Sequence, residues 1–207
     1  MSLRPSHTSI SLVPGPDCRA ISDGDLARAL KDGYAWALHE TWRRFAPMVS
    51  VMAARAMGSN TESEDLTQEV FYRVFRKTKT IREPDSLRSF VYSFAIRVLK
   101  TELRRKRTRG WLSFHRSETL EDIGHATVDV ESRDLLRRFY GLLDRLTTRD
   151  RLVFVLRHLE RMTVEEIAAR MDISLSTVKR SLLHANDKLA RWVETDLGLP
   201  GFLGADP

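Results

Sequence analysis

The chain has 207 residues and a single cysteine, Cys18. One thiol excludes an internal disulfide and any zinc site built on cysteines. Long apolar runs are missing too. No stretch approaches the roughly 20 residues of a membrane span, and the N-terminus has no apolar core of a secretory signal. Proline is absent between Asp85 and Leu199, and glycine is sparse there, so helices can run long. No segment alternates apolar and polar residues as a half-buried strand does. Val153-Phe154-Val155-Leu156 is strand-like in composition, but it lies inside a helical pattern without turn residues at its edges. Catalytic signatures are lacking as well. There is no nucleotide-binding glycine loop, and His39-Glu40 is followed by Thr-Trp-Arg, which gives no zinc pair. Neither cofactor nor metal is expected, and the expectation is an intracellular, globular, non-enzymatic protein.

Charge is plentiful. Lys plus Arg is 34 and Asp plus Glu is 28, a formal net charge of +6. That excess favours an anionic partner. It is also blocked along the chain. Glu62 to Glu69 holds four acids and no base, Arg97 to Arg116 eight bases and one acid, and Glu118 to Asp134 six acids and one base.

Apolar residues fall into helical stripes: Leu66-Val70-Phe71-Val74-Phe75, Leu87-Phe90-Val91-Phe94-Val98, Leu135-Phe139-Leu142-Leu146 and Val178-Leu182-Ala185-Leu189. Ser22 with Asp25, Thr61 with Glu64, and Thr163 with Glu166 have the spacing of N-terminal capping boxes. Gly58 fits a helix end, and Pro47 should start or kink a helix. The expected fold is all-α, with two small helical domains. A mobile tail covers 1–21, a first domain 22–112, an acidic linker 113–131, a second domain 132–193, and a short tail 194–207.

The C-terminal block has the spacing of a helix-turn-helix. Thr163 to Arg170 is a short helix, Met171-Asp172-Ile173 a turn, and Ser174 to Trp192 a longer helix. Ala168 allows close crossing. Asp172 tolerates the positive φ that the turn needs, and Val178 locks a small core with Ile167, Met171 and Ile173. The second helix can then offer Ser174, Ser176, Thr177, Lys179, Arg180 and His184 to a major groove. A helical hairpin that touches no DNA is the plainer alternative. Upstream, Ser93, Arg97, Lys100 and Arg104 share one helix face. It suits a phosphate backbone or a solvated surface equally. Tyr92, Phe94, Trp111 and Phe114 could stack on bases, although Phe90 and Phe94 fit the core better. Asp65, Gln68 and Glu69 lie together beside the stripe of their helix, as a capped helix start or a partner-binding face.

Asp65-Leu-Thr-Gln-Glu-Val-Phe71, Leu87-Arg-Ser-Phe-Val-Tyr-Ser-Phe-Ala95 running into Leu103-Arg-Arg-Lys-Arg107, and the terminal helix-turn-helix occur in one order. Together they resemble the extracytoplasmic-function (group IV) bacterial sigma factors, over residues 22–193. The resemblance implies a transcription initiation factor in the cytoplasm. Its partners would be core RNA polymerase, promoter DNA and an anti-sigma factor, with no membrane insertion. It assigns Asp65, Leu66, Gln68, Glu69 and Phe71 to polymerase binding. It assigns Lys77, Lys79, Arg82, Arg88, Arg97, Lys100 and Arg104 to the minus-ten element, and the second-helix residues above to the minus-thirty-five element. It also implies that free protein binds promoters poorly until polymerase separates the domains. Here the acidic linker would either screen the basic helix or serve as a solvated spacer. The sequence departs from the family pattern at Ile96-Arg97, Leu146-Thr147 and Asp172. A stand-alone helix-turn-helix repressor or activator shares the DNA-binding half alone.

Overall fold

The computed structural model describes residues 21–81, 87–112 and 130–197. The tail with Cys18, Arg82, Phe114 and the acidic stretch 113–129 lie outside these, and so does the expected screening of the basic helix. Eight α-helices account for most of the described residues: α1 (Asp23–Asp32), α2 (Ala35–Met57), α3 (Thr61–Arg76), α4 (Leu87–Leu112), α5 (Val130–Asp144), α6 (Thr148–Phe154), α7 (Val164–Met171) and α8 (Leu175–Trp192). A 3₁₀ turn follows α3 at Thr78–Thr80, and π-helical turns extend α6 (Val155–Leu159) and α8 (Val193–Leu197). Val153 to Leu156 is therefore helical.

Local chemistry sets most of the boundaries. The Ser22 hydroxyl accepts from the Asp25 backbone N–H at 3.1 Å and opens α1. Gly33 closes that helix in the left-handed region at φ 84°. The Thr61–Glu64 box does not form. Asn60 occupies the cap with helical dihedrals and without a side-chain bond, and Ser63 bonds back to the Asn60 carbonyl through its backbone N–H (2.9 Å) and hydroxyl (2.6 Å). Pro47 neither starts nor ends a helix, since α2 runs through it.

Helices α1 to α4 enclose a core that includes Leu26, Leu30, Phe45, Val49, Met52, Val70, Phe71, Val74, Leu87 and Val91. The same apolar cluster continues without a break into Leu152, Val153, Val155, Leu156, Met162, Ile167, Met171 and Val178 of the second helical group. A smaller cluster joins Tyr140, Leu142, Leu143, Leu146, Phe154, Ala185, Leu189 and Val193. The two helical groups expected from the sequence are both present, and in this structure they pack on each other. Helix α4 is the reason. Its buried residues are Leu87, Val91, Ala95, Ile96, Val98, Leu99 and Leu103, more than one stripe. It touches α1, α2 and α3 as well as α6 and α7.

Polar contacts reinforce the junction. Arg151, only 3% exposed, donates from Nε to the Ala56 carbonyl at 2.8 Å and also bonds Asp144. Lys106 Nζ donates to the neighbouring Met57 carbonyl at 3.2 Å. Two cations thus satisfy the last carbonyls of α2, where the helix dipole favours positive charge. Arg55 donates to the Leu159 carbonyl (2.8 Å) and to Glu160 (2.9 Å). The Arg170 guanidinium lies 4.9 Å from the Tyr92 ring centroid. Gly58 has φ 73°, and a Cβ there would sit 2.7 Å from Tyr140 Cδ1. Only glycine meets both demands.

The C-terminal tail begins later than the sequence implies. Asp196, in the turn after α8, accepts from Arg145 at 2.5 Å, and Arg145 covers the Trp192 ring at 4.3 Å.

Candidate nucleic-acid and partner interfaces

The helix-turn-helix is capped at both of its joints. The Thr163 hydroxyl accepts from the Glu166 N–H (3.1 Å), and the Glu166 carboxylate accepts from the Thr163 N–H (2.9 Å), a complete capping box. The Thr163 N–H, with help from Arg170, holds the Glu166 carboxyl below the usual range. Asp172 adopts φ 54° and ψ 54°, the left-handed conformation expected of it. Ser174 then caps α8, accepting from the Thr177 N–H at 3.2 Å. Its hydroxyl also lies 3.0 Å from that of Ser176 and 2.8 Å from that of Thr177. Ile167, Met171 and Val178 are buried beneath, and Ala168 is 8% exposed at the crossing.

The candidate DNA-facing residues of α8 separate into two groups. Ser176, Lys179 and Arg180 are exposed, and neither cation has an ion-pair partner among the described residues. His184 instead turns its Nδ1 to Asp150, at 2.9 Å. Burial pushes the Asp150 carboxyl up, but hydrogen bonds from Thr147, His184 and Ser181 outweigh it and leave the group below its ordinary value. Ser174 and His184 therefore hold α8 in place as well as standing near its surface.

On α4, Arg88, Arg97 and Arg104 are exposed and Lys100 is half-buried. Arg97 lies 5.6 Å from the Phe94 ring centroid and Arg88 5.9 Å from that of Phe45. Phe90 and Phe94 pair at 4.9 Å against the core, so the core reading of these two rings holds. Tyr92 lies under Arg170. Lys77 and Lys79 stand exposed at the turn after α3. The structure thus sets the basic residues of α4 along one helix, with the lysine turn ahead of it.

On α3, Asp65 and Gln68 are exposed and Glu69 is half-exposed, paired with Arg73 at 2.6 Å. Leu66 (8% exposed) and Phe71 (1%) are core residues that seat the helix, so neither offers a surface for direct contact. A groove of about 520 Å³ opens between α2 and α3. Trp42, Arg43, Pro47 and Ser50 line one side, and Glu64 and Gln68 the other. Trp42 is 38% exposed, with its ring centroid 4.8 Å from that of Phe71. The sequence reading missed the α2 wall. Trp42 repeats with Phe45, Val49 and Met52 at helical spacing, so it reads as core; α3 covers the stripe only in part.

Among the described residues no group of three or more His, Cys, Asp or Glu could hold a metal, and no helix is long and apolar enough to cross a membrane.

A capped helix-turn-helix beside a second helical group with a basic helix and a partly apolar groove is an all-helical arrangement of the kind suited to nucleic-acid recognition. Comparison with known proteins agrees. Residues 41–109 match Sigma-70 region 2 and residues 136–189 match Sigma-70, region 4, together more than half of the chain. The ECF RNA polymerase sigma factor SigE of Mycolicibacterium smegmatis is 30% identical over 70% of this chain and 56% of its own length. The ECF RNA polymerase sigma-E factor of Escherichia coli is 22% identical over 84% of this chain and 95% of its own. The sigma factor RpoE of Bartonella quintana, solved in complex with the anti-sigma factor NepR, superposes with a TM-score of 0.58 at 17% identity, over 76% of this chain and 97% of that one; at that identity the likeness speaks for the fold. The chain belongs to the sigma-70 family, as an alternative sigma factor of the extracytoplasmic-function kind, which directs RNA polymerase to promoters.

Proposed function

We propose that this chain works as a group IV sigma factor without chemistry of its own, in the cytoplasm, and that three surfaces divide the task. The groove between α2 and α3 docks core polymerase. Its apolar floor at Trp42 supplies contact area, Glu64 and Gln68 line its α3 side, and Asp65, exposed on the same helix, adds negative charge for a basic partner. The α4 face of Arg97, Lys100 and Arg104, with Arg88 on another side of the same helix and with Lys77, Lys79 and Arg82 ahead of it, takes the minus-ten element. Helix α8 enters the major groove at the minus-thirty-five element. The observation that carries this reading is the fully capped helix-turn-helix, which leaves Lys179 and Arg180 exposed and unpaired.

The packing of the two groups fits a resting form. The two elements lie about 25 base pairs apart, roughly 85 Å at 3.4 Å per step. A compact chain of this length has a radius of gyration of about 17 Å. The groups therefore part at the α4 junction when polymerase engages both elements, with the junction running between a first domain over 22–112 and a second over 132–193. An anti-sigma factor, as in the Bartonella complex, would act on the same closed-to-open balance.

The test is a titration of core polymerase with full-length protein. Wild type binds core and is retained on it through gel filtration. Asp65→Arg with Trp42→Ala folds normally and binds at least tenfold more weakly. A protein that ignores core polymerase yet grips duplex DNA tightly alone would be a stand-alone regulator instead.

A further inference from the structure

Helix α8 carries one residue that its packing does not explain. Leu183 is 64% exposed, more than any other large hydrophobic side chain among the described residues. Val178, Ala185 and Leu189 of α8 are buried, and Leu182 packs against the core. At about 100° per residue, Ser176, Lys179, Arg180 and Leu183 fall within one arc of about 100°, opposite Val178, Ser181, Ala185 and Leu189. Leu175, the other exposed leucine of the helix, falls on the flank of that arc. A single exposed leucine is ordinary on a protein surface; what singles this one out is its place on the same arc as the exposed Lys179 and Arg180.

Its position decides what would cover it. Leu183 stands about 12 Å along the helix from Leu175 at 1.5 Å per residue. That matches the width of a major groove, about 12 Å. One turn further the face ends in an exposed carboxylate, Asp187. His184, the neighbouring polar candidate, is turned aside by its bond to Asp150. The leucine therefore belongs to the stretch of α8 that Lys179 and Arg180 bring against DNA. On the floor of that groove the one apolar feature is the C5-methyl of thymine.

We propose that Leu183 is a specificity-determining residue that reads a thymine methyl in the upstream promoter element. This rests on the reading of α8 as the recognition helix. The cationic flanks favour nucleic acid over an apolar protein partner, and the methyl contact adds sequence preference to phosphate contacts that carry none. Removing the methyl costs about the burial of one carbon group, about fourfold in affinity.

The experiment uses full-length protein assembled with core polymerase on a promoter selected from a random library. Each thymine of the upstream element, on either strand, is replaced singly by deoxyuridine, which lacks only the methyl. Wild-type holoenzyme should lose about fourfold at one position. Leu183→Ala should bind the thymine promoter about fourfold more weakly and be indifferent to uracil at that position. Because the side chain is exposed, thermal unfolding and core-polymerase affinity of Leu183→Ala should match wild type. If the two proteins respond alike to uracil at every position, or if Leu183→Ala binds as tightly as wild type, the proposal is overturned while α8 remains the recognition helix. If the holoenzyme leaves the upstream element unprotected, the reading of α8 falls and this inference with it.

Discussion

Helices α4 and α8 both carry basic residues, yet their surroundings differ. Helix α8 buries one stripe, keeps Lys179 and Arg180 clear of ion pairs, and is fixed at its start by Ser174 and at its middle by the Asp150–His184 pair. Helix α4 is gripped by helices of both groups, and two of its arginines lie over rings. The first arrangement presents a ready surface. The second makes α4 the joint of the molecule, so its surroundings change if the groups separate. In the function proposed above, recognition of duplex DNA by α8 asks only for exposure, whereas use of α4 is tied to the state of the junction.

The sharpest way to break this contrast is at Gly58. Gly58→Ala adds left-handed strain and a clash with Tyr140, and should destabilise the protein by about 2–3 kcal/mol. Thermal unfolding measures this, and in a double-mutant cycle with Tyr140→Ala the combined loss should be smaller than the sum of the two single losses. Arg151→Met should follow at about 2 kcal/mol, since it leaves the Ala56 carbonyl and Asp144 without their buried partner. Hydrogen exchange should then quicken in α4 and at the end of α2 while α8 stays protected. Equal loosening of α4 and α8 would contradict the contrast.

Thr163→Ala removes half of the capping box and should cost about 1 kcal/mol, confined to α7 and its turn. The smallest effect concerns pH. The folded Asp150 carboxyl lies below its ordinary value of 3.8. Its contribution to stability is therefore complete above that value and is lost as pH falls toward the folded pKa. Wild type should lose more stability between about pH 5 and pH 3 than Asp150→Asn, as read by denaturant unfolding at each pH.

The contrast also explains which features the sequence could reveal. A helix that buries one stripe announces itself. The spacing of Ile167, Met171, Val178 and Ala185, the Thr163–Glu166 box and the odd residue Asp172 identify the helix-turn-helix before any coordinates. Helix α4 hides its role because Ile96, Leu99 and Leu103 fall off the stripe begun by Leu87 and Val91. No local pattern marks the helices α6 and α7 that α4 also meets. Trp42 was hidden for the opposite reason, as a stripe residue left partly uncovered. The Asp150–His184 bond pairs side chains 34 residues apart, and no local pattern signals it. The failed Thr61 cap shows a limit of spacing alone, because the dihedrals of Asn60 settle which residue opens α3.

In the function proposed above, this chain lends promoter choice to core polymerase through α8. The most direct measurement is transcription in vitro by core polymerase over a random promoter library, with wild type and with Lys179→Ala plus Arg180→Ala. The account predicts that wild type yields transcripts sharing a minus-thirty-five and a minus-ten element. It predicts that the variant binds core equally but loses preference at the upstream element, by about 1–3 kcal/mol for each base contact removed. Transcripts with no shared upstream element, or an element unchanged in the variant, would contradict it.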